Sequence, residues 1–177
     1  GKMDLSLVKD QDLRDLAAET KMNVALAIRV EHTVTFTRAN VPHPYRLAVK
    51  EGGQSELHNT AVGKVFLAHM TEEQRDAYFE VAELEKFTET TLTTRAEIEA
   101  ELGAIRDNGF AVSDREEFYQ IVGIATPILD HDGRILAAIS LWIPLRNASL
   151  EDLLACAPAL QKKTGEISAR FGQLTTG

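Results

Sequence analysis

Tyr119-Gln-Ile-Val-Gly-Ile-Ala-Thr-Pro-Ile-Leu-Asp-His-Asp-Gly-Arg-Ile-Leu-Ala-Ala-Ile-Ser-Leu-Trp-Ile-Pro144 reads as two strands joined by a turn at Asp130-His131-Asp132-Gly133. Apolar strand formers flank a polar cluster that ends in glycine, the usual mark of a β-hairpin. A two- or four-residue loop there places Gly123 opposite Ser140 and Ala125 opposite Ala138. Side chains alternate sides along a strand, so these four share a face with Ile121 and Trp142. The expectation is a patch of very small side chains with an indole at its edge, and a hollow above it. A three-residue loop would shift the register and remove the hollow.

Outward from this hairpin, hydrophobic periodicity gives the order of elements. An amphipathic helix is expected from about Asp10 to Lys21, with Leu13, Leu16 and Ala17 inward. Val24 to Val30 and Val34 to Val41 alternate as two strands around a turn at Glu31-His32-Thr33, and Pro42 and Pro44 end the pair. Tyr45 to Lys50 reads as a third strand, closed by Glu51-Gly52-Gly53. Helices then start near Asn59 or Thr60, at Thr71 and at Thr94. Thr71 with Gln74 and Thr94 with Glu97 each fit the reciprocal capping box. Phe110, Val112 and Asp114 begin a strand that leads into the hairpin, and Ser149 opens a last helix to about Phe171, kinked near Pro158. Strands and helices in such blocks make an α+β fold, an antiparallel sheet of about six strands with helices packed around it.

Composition narrows function. The 177 residues are 44% hydrophobic and 26% charged, which suits one folded domain. No apolar run approaches the roughly 18 residues of a membrane span, and no secretory leader is visible, so a cytoplasmic location without membrane contact is expected. A net charge of −8 repels phosphate backbones, which argues against direct DNA binding by these residues. Gly1-Lys2-Met3 reads as a tag remnant. Residues 1–9 are accordingly assigned to that remnant and an interdomain linker, residues 10–175 to the domain, and the chain is expected to be a fragment of a longer protein.

The residues give little sign of catalysis. There is no Gly-x-Ser-x-Gly elbow, and Gly63-Lys64 lacks the spacing of a phosphate loop. The single cysteine, Cys156, between alanines, reads as a small packed hydrophobe. His32, His43, His58, His69 and His131 have no zinc-type spacing, so no metal is expected; His58, just before a helix start, reads as a capping or packing residue. Asp114-Arg115-Glu116-Glu117 reads as a solvated strand end. Leu57-His58-Asn59-Thr60-Ala61-Val62-Gly63-Lys64 is richer. Its small residues leave the first N–H groups of a helix open to an anion, or they serve only to pack that helix on the sheet.

Leu57 to Ala68, Ile105-Arg-Asp-Asn-Gly-Phe-Ala-Val112, Ile124-Ala-Thr-Pro-Ile-Leu-Asp130 with Gly133, and Ala137-Ala-Ile-Ser140 occur in an order that resembles the C-terminal effector-binding domain of the IclR family of bacterial transcription regulators. The resemblance covers nearly the whole chain. It implies a GAF-like, profilin-like fold with a curved sheet, binding a small organic molecule, without enzyme activity or cofactor. In that family a winged helix-turn-helix domain precedes this one and reads operator DNA in a homodimer or tetramer.

The resemblance further implies a ligand site made by Asn59, Thr60, Ala61, Val62 and Gly63 at the helix start, Ser113 and Asp114 at a strand end, Gly123, Ser140 and Trp142 on the hairpin, and Tyr45 and Leu47 as an apolar wall. Acid-binding members commonly carry cysteine at the position of Gly123, serine at that of Trp142 and aspartate at that of Ser113. A less polar floor beside an indole favours an aromatic or bulky carboxylic acid over a two- or three-carbon acid. Trp142 packed inward against a helix is the alternative. At the level of function the alternatives are a GAF-like metabolite-binding enzyme or enzyme subunit, and a dimerisation module with a filled core.

Overall fold

The computed structural model describes residues 4–47 and 50–173. Asp10–Thr20 form helix α1, and β1 (Asn23–Val30) and β2 (Thr33–Asn40) form the first hairpin, turning at Glu31 and His32. A three-residue strand, β3 (Gln54–Glu56), follows, then helices α2 (Ala61–Ala68), α3 (Glu72–Val81) and α4 (Arg95–Asn108). Strands β4 (Ala111–Asp114), β5 (Ile121–Leu129) and β6 (Ile135–Pro144) lead to helices α5 (Leu150–Leu154) and α6 (Ala157–Gln173). All strand pairs are antiparallel, in one curved six-stranded sheet ordered β3-β2-β1-β6-β5-β4. The two strand blocks meet where β1 pairs with β6.

The third strand differs from expectation. Tyr45 to Leu47 form no strand, Ala48 and Val49 lie outside the described residues, and Gln54–Glu56 is the strand instead. The expected linker also carries core residues: Leu5–Leu7 make a 3₁₀ turn, and Val8 is buried beneath α6 with Leu13 and Leu16. The reciprocal cap at Thr71 and Gln74 forms, whereas Glu97 accepts from the Thr94 hydroxyl instead of reaching the backbone. The expected last helix is two, broken at Ala155 and Cys156, with Pro158 in the first turn of α6, where its missing N–H costs nothing.

The central hairpin has another register than the small-loop reading gives. Gly123 lies opposite Trp142, Ala125 opposite Ser140 and Pro127 opposite Ala138. Two features each add one residue. The turn spans five positions: the Asp130 N–H donates to the Arg134 carbonyl, and the Asp130 carboxylate accepts from the N–H groups of Asp132 and Arg134. Gly133, with φ of 79°, supplies the left-handed residue this turn requires. A bulge between Ile128 and Leu129 then leaves Leu136 without an opposite residue. Either feature alone would turn every side chain to the wrong face; together they restore it.

One face of the sheet is therefore paved with small residues. Ala25 stands opposite Ser140, Ala27 opposite Ala138, Ala111 opposite Ala125, and Ser113 opposite Gly123. Helix α2 lies on this floor, and all eight of its residues are buried. The reverse face carries large aliphatics, Leu26, Ile124, Ile139 and Leu141 among them, which pack against α1 and α6. The segment that leads into α2 folds closely against the helix at Gly63. A Cβ there would overlap the Leu57 carbonyl oxygen and sit 2.5 Å from the Leu57 Cα and 2.6 Å from the Thr60 hydroxyl. Backbone cannot yield as a flexible side chain can, so Gly63→Ala is expected to destabilise the domain by about 2–3 kcal/mol, measured by urea unfolding.

Candidate functional site

Thr60 starts α2. Its hydroxyl accepts from the Gly63 N–H at 3.0 Å and donates to the Glu56 carbonyl at 2.8 Å, tying the helix start to β3. The N–H groups of Ala61 and Val62 remain free of protein partners, as the first donors of a helix do. Beneath them lies a chamber of about 50 Å³, between the α2 start and the small-residue floor. Asn59, Thr60, Ala61 and Val62 form its roof, Ser113, Gly123, Ser140 and Trp142 its floor, and Phe36, Glu117, Phe118 and Ile121 its sides. Volume of this kind holds roughly four waters, hence a small polar head group.

Buried polar groups normally find partners. Here Asn59, fully buried, has both amide atoms without a protein partner, and Trp142, 3% exposed, has its Nε1 in the same condition. Residues with unpartnered polar groups, Asn59 and Trp142 by side chain and Ala61 and Val62 by backbone N–H, thus come together in the chamber lining. Ser113 donates to the Asn59 backbone carbonyl at 3.2 Å and so helps hold that residue in place.

A second, larger hollow of about 230 Å³ adjoins the chamber and shares Phe36, Glu117 and Phe118 with it. Leu47, Lys50, Gly53, Gln54 and Ser55 complete its lining. Glu117 stands on both sides of this partition. Burial pushes its carboxyl up to about 7, against a hydrogen bond from Ser55 and with some help from Glu56.

The segment bearing Glu117 and Phe118 is held by its neighbours. Lys64, fully buried, donates to Glu116 at 2.8 Å, to Glu101 at 2.5 Å and to the Val112 carbonyl at 2.5 Å. Burial pushes the Glu116 carboxyl up; Lys64 opposes this in part. Thr88 and Thr91 donate to the carbonyls of Arg115 and Glu116 at 2.5 and 2.7 Å. They hold Arg115 at φ of 60°, which turns the chain toward the chamber.

Four residues expected at the site stand elsewhere. Gly63 packs on Leu57, outside the chamber lining. Asp114 points outward and pairs with Arg115 at 2.8 Å. Tyr45 lies behind Phe118, ring centroids 6.3 Å apart, and Leu47, 66% exposed, reaches only the outer hollow. Phe36, Glu117, Phe118 and Ile121 join the site without having been assigned to it. Ile121 was legible from its face of the hairpin. Glu116 and Glu117, read as a solvated strand end, are instead largely covered.

Elsewhere, His58 is buried, with Nε2 2.8 Å from the Glu85 carbonyl, a packing role. Cys156 sits in the break between α5 and α6, and burial pushes its thiol up, away from nucleophilic use. Among the described residues, the metal-type side chains that come together are Asp130, His131 and Asp132, consecutive on the exposed turn. No described helix is long and apolar enough to cross a membrane.

A curved sheet with one small-residue face, capped by a helix start over a chamber with unpaired polar atoms, defines a small-molecule-binding α+β domain. The profile described as bacterial transcriptional regulator IclR C-terminal matches residues 1–169, and the chain belongs to that family. It is similar to the HTH-type transcriptional regulator KdgR of Escherichia coli strain K12, 26% identical over 171 residues, which cover 96% of this chain and 65% of that protein. It also resembles BhcR of Paracoccus denitrificans, 31% identical over 157 residues, or 88% of this chain and 56% of that one. The chain therefore spans somewhat under two thirds of these relatives. The crystal structure of the C-terminal domain of E. coli KdgR superposes with a TM-score of 0.84 at 25% identity, covering 95% of this chain and 99% of that one. The IclR of Thermotoga maritima gives 0.85 at 27% identity, covering 92% and 66%.

Removing one partner of a buried ion pair leaves the other charge uncompensated. Lys64→Met is expected to destabilise the domain by about 3–5 kcal/mol, and Lys64→Met with Glu116→Leu by clearly less, in urea unfolding at pH 8.

Proposed function

We propose that this chain is the effector-sensing part of a transcription regulator, that its ligand is a small organic molecule held in the chamber under α2, and that the domain works without catalysis or cofactor. The supporting observation is the buried amide of Asn59 and indole N–H of Trp142, both without protein partners, on residues that line a chamber between the α2 start and the sheet floor. A merely structural module would leave those groups unpaired at a cost of about 1–3 kcal/mol each. An acceptor end of the ligand, carbonyl or carboxylate, suits the N–H groups of Ala61, Val62 and Trp142. The chamber seats only that end. An aromatic or otherwise bulky body has to continue past Phe36 and Phe118 into the outer hollow.

The named relatives are helix-turn-helix regulators longer than this chain, which supports a DNA-reading domain in the whole protein, cytoplasmic action, and operator contact through that domain alone. The net charge of −8 agrees. A homodimer or tetramer then has two arrangements, and the effector acts by binding one of them more tightly.

A Cβ on Gly123 would stand 3.6 Å from the Leu141 carbonyl oxygen and 4.0 Å from the Ala61 Cβ, in ordinary contact with both, so a methyl group is accommodated there. Gly123→Leu is expected to fill the chamber and to abolish ligand-induced stabilisation in thermal melting, while Trp142→Phe, which keeps the ring and removes the donor, weakens binding about tenfold by calorimetry. A screen of aromatic against two- and three-carbon acids tests the size reading, with tight binding of the short acids alone opposing it.

A further inference from the structure

Glu117 is the one ionisable side chain of the inner chamber among the described residues, and it also lines the outer hollow. It therefore stands where a ligand's body would pass from one space to the other. The hollow supplies one cation, Lys50, which does not line the chamber. Beside this carboxyl, Ser55 favours the charged form and Glu56 adds a like charge, and once ionised its two oxygens can only accept hydrogen bonds. The free N–H groups of Ala61 and Val62 and the unpartnered amide of Asn59 belong to the start of α2, and Trp142 lines the floor. A ligand spanning this space meets donors first and then an acceptor that wants a proton-bearing partner.

We infer that Glu117 selects the effector, accepting a hydrogen bond from a hydroxyl or comparable neutral donor on the ligand's body, while the ligand's acceptor end faces the start of α2. This rests on the chamber being the effector site. A ligand lacking the donor would leave the carboxylate covered and less well solvated, the situation in which a binding site discriminates most sharply. A donor stabilises the ionised form of Glu117, whose carboxyl in the free protein sits at about 7. Binding then releases a proton, and affinity rises with pH. If only the ionised fraction is competent, the gain between pH 6 and 8 is roughly tenfold.

Stability responds in the opposite sense. A carboxyl raised from 4.5 to about 7 on folding contributes most below pH 4.5, and that contribution is lost as pH rises through about 7. Glu117→Gln and Glu117→Leu are accordingly expected to be no less stable than the parent at pH 8, so both remain usable as folded probes.

The test is an NMR titration of the isotope-labelled chain with two neutral pairs, benzamide against 4-hydroxybenzamide and propanamide against lactamide, at pH 6 and pH 8. Backbone shifts at Ala61, Val62, Gly123 and Ser140 report occupation of the chamber. The expected result is that a hydroxylated member binds about tenfold more tightly than its partner at pH 8, with the preference reduced at pH 6. Glu117→Leu should erase that preference while the chamber shifts persist, and Glu117→Gln should keep part of it without the pH dependence. Equal binding within both pairs, a preference that survives in Glu117→Leu, or affinity that falls as pH rises overturns the role of Glu117 alone. Absence of shifts at the chamber amides with all four compounds overturns the chamber as the ligand site, and the inference with it.

Discussion

The seating of α2 on a floor of alanine, serine and glycine is the constraint from which the rest of the molecule follows. A helix this short has little stability of its own, and here packing supplies it: every residue of α2 is buried. Larger floor residues would lift the helix. Gly63 lets the Leu57 backbone fold closely against the start of the helix, and Lys64, one residue on, ties the helix to Glu101 on α4 and to Glu116 before β5. Such a buried ion pair adds little net stability compared with an apolar pair of the same shape. Its effect here is positional, because it sets the segment whose next residues, Glu117 and Phe118, wall the chamber.

Small residues on the floor would by themselves produce only a closer packing. A chamber survives because α2 begins over the floor instead of crossing it, leaving Ala61 and Val62 with free N–H groups and Asn59 with an unpaired amide. Polarity is thus concentrated at one end and apolar surface, from Phe36, Phe118 and Ile121, at the other. Burial also places the Glu117 carboxyl in surroundings that favour its neutral form.

The element order and the single sheet were legible because period-2 and helical patterns are long and clean in β1, β2, β5 and β6. The small-residue face was legible for a subtler reason: faces depend only on the parity of the register, and the five-residue turn and the bulge each changed the count by one. The pairings themselves were not legible, since a bulge such as that at Ile128 leaves no mark in composition. Strand β3, polar and three residues long, carries no alternation to read, whereas Tyr45 to Lys50 mimics it. Of the residues that the resemblance assigns to a ligand site, Asn59 to Val62, Ser113, Gly123, Ser140 and Trp142 come together in the lining of the chamber. Glu116 and Glu117 were missed because a run of charges normally faces water, and only partners far off in the sequence, Lys64 and Ser55, show otherwise.

A crystal structure of the chain with its effector tests most directly the proposed place of the ligand's polar end, between Asn59 and Trp142 under the first turn of α2. Ligand atoms are expected within hydrogen-bonding distance of the Asn59 amide and the Trp142 Nε1. A ligand confined to the outer hollow, or seated elsewhere on the surface with both groups left as they are, would contradict it.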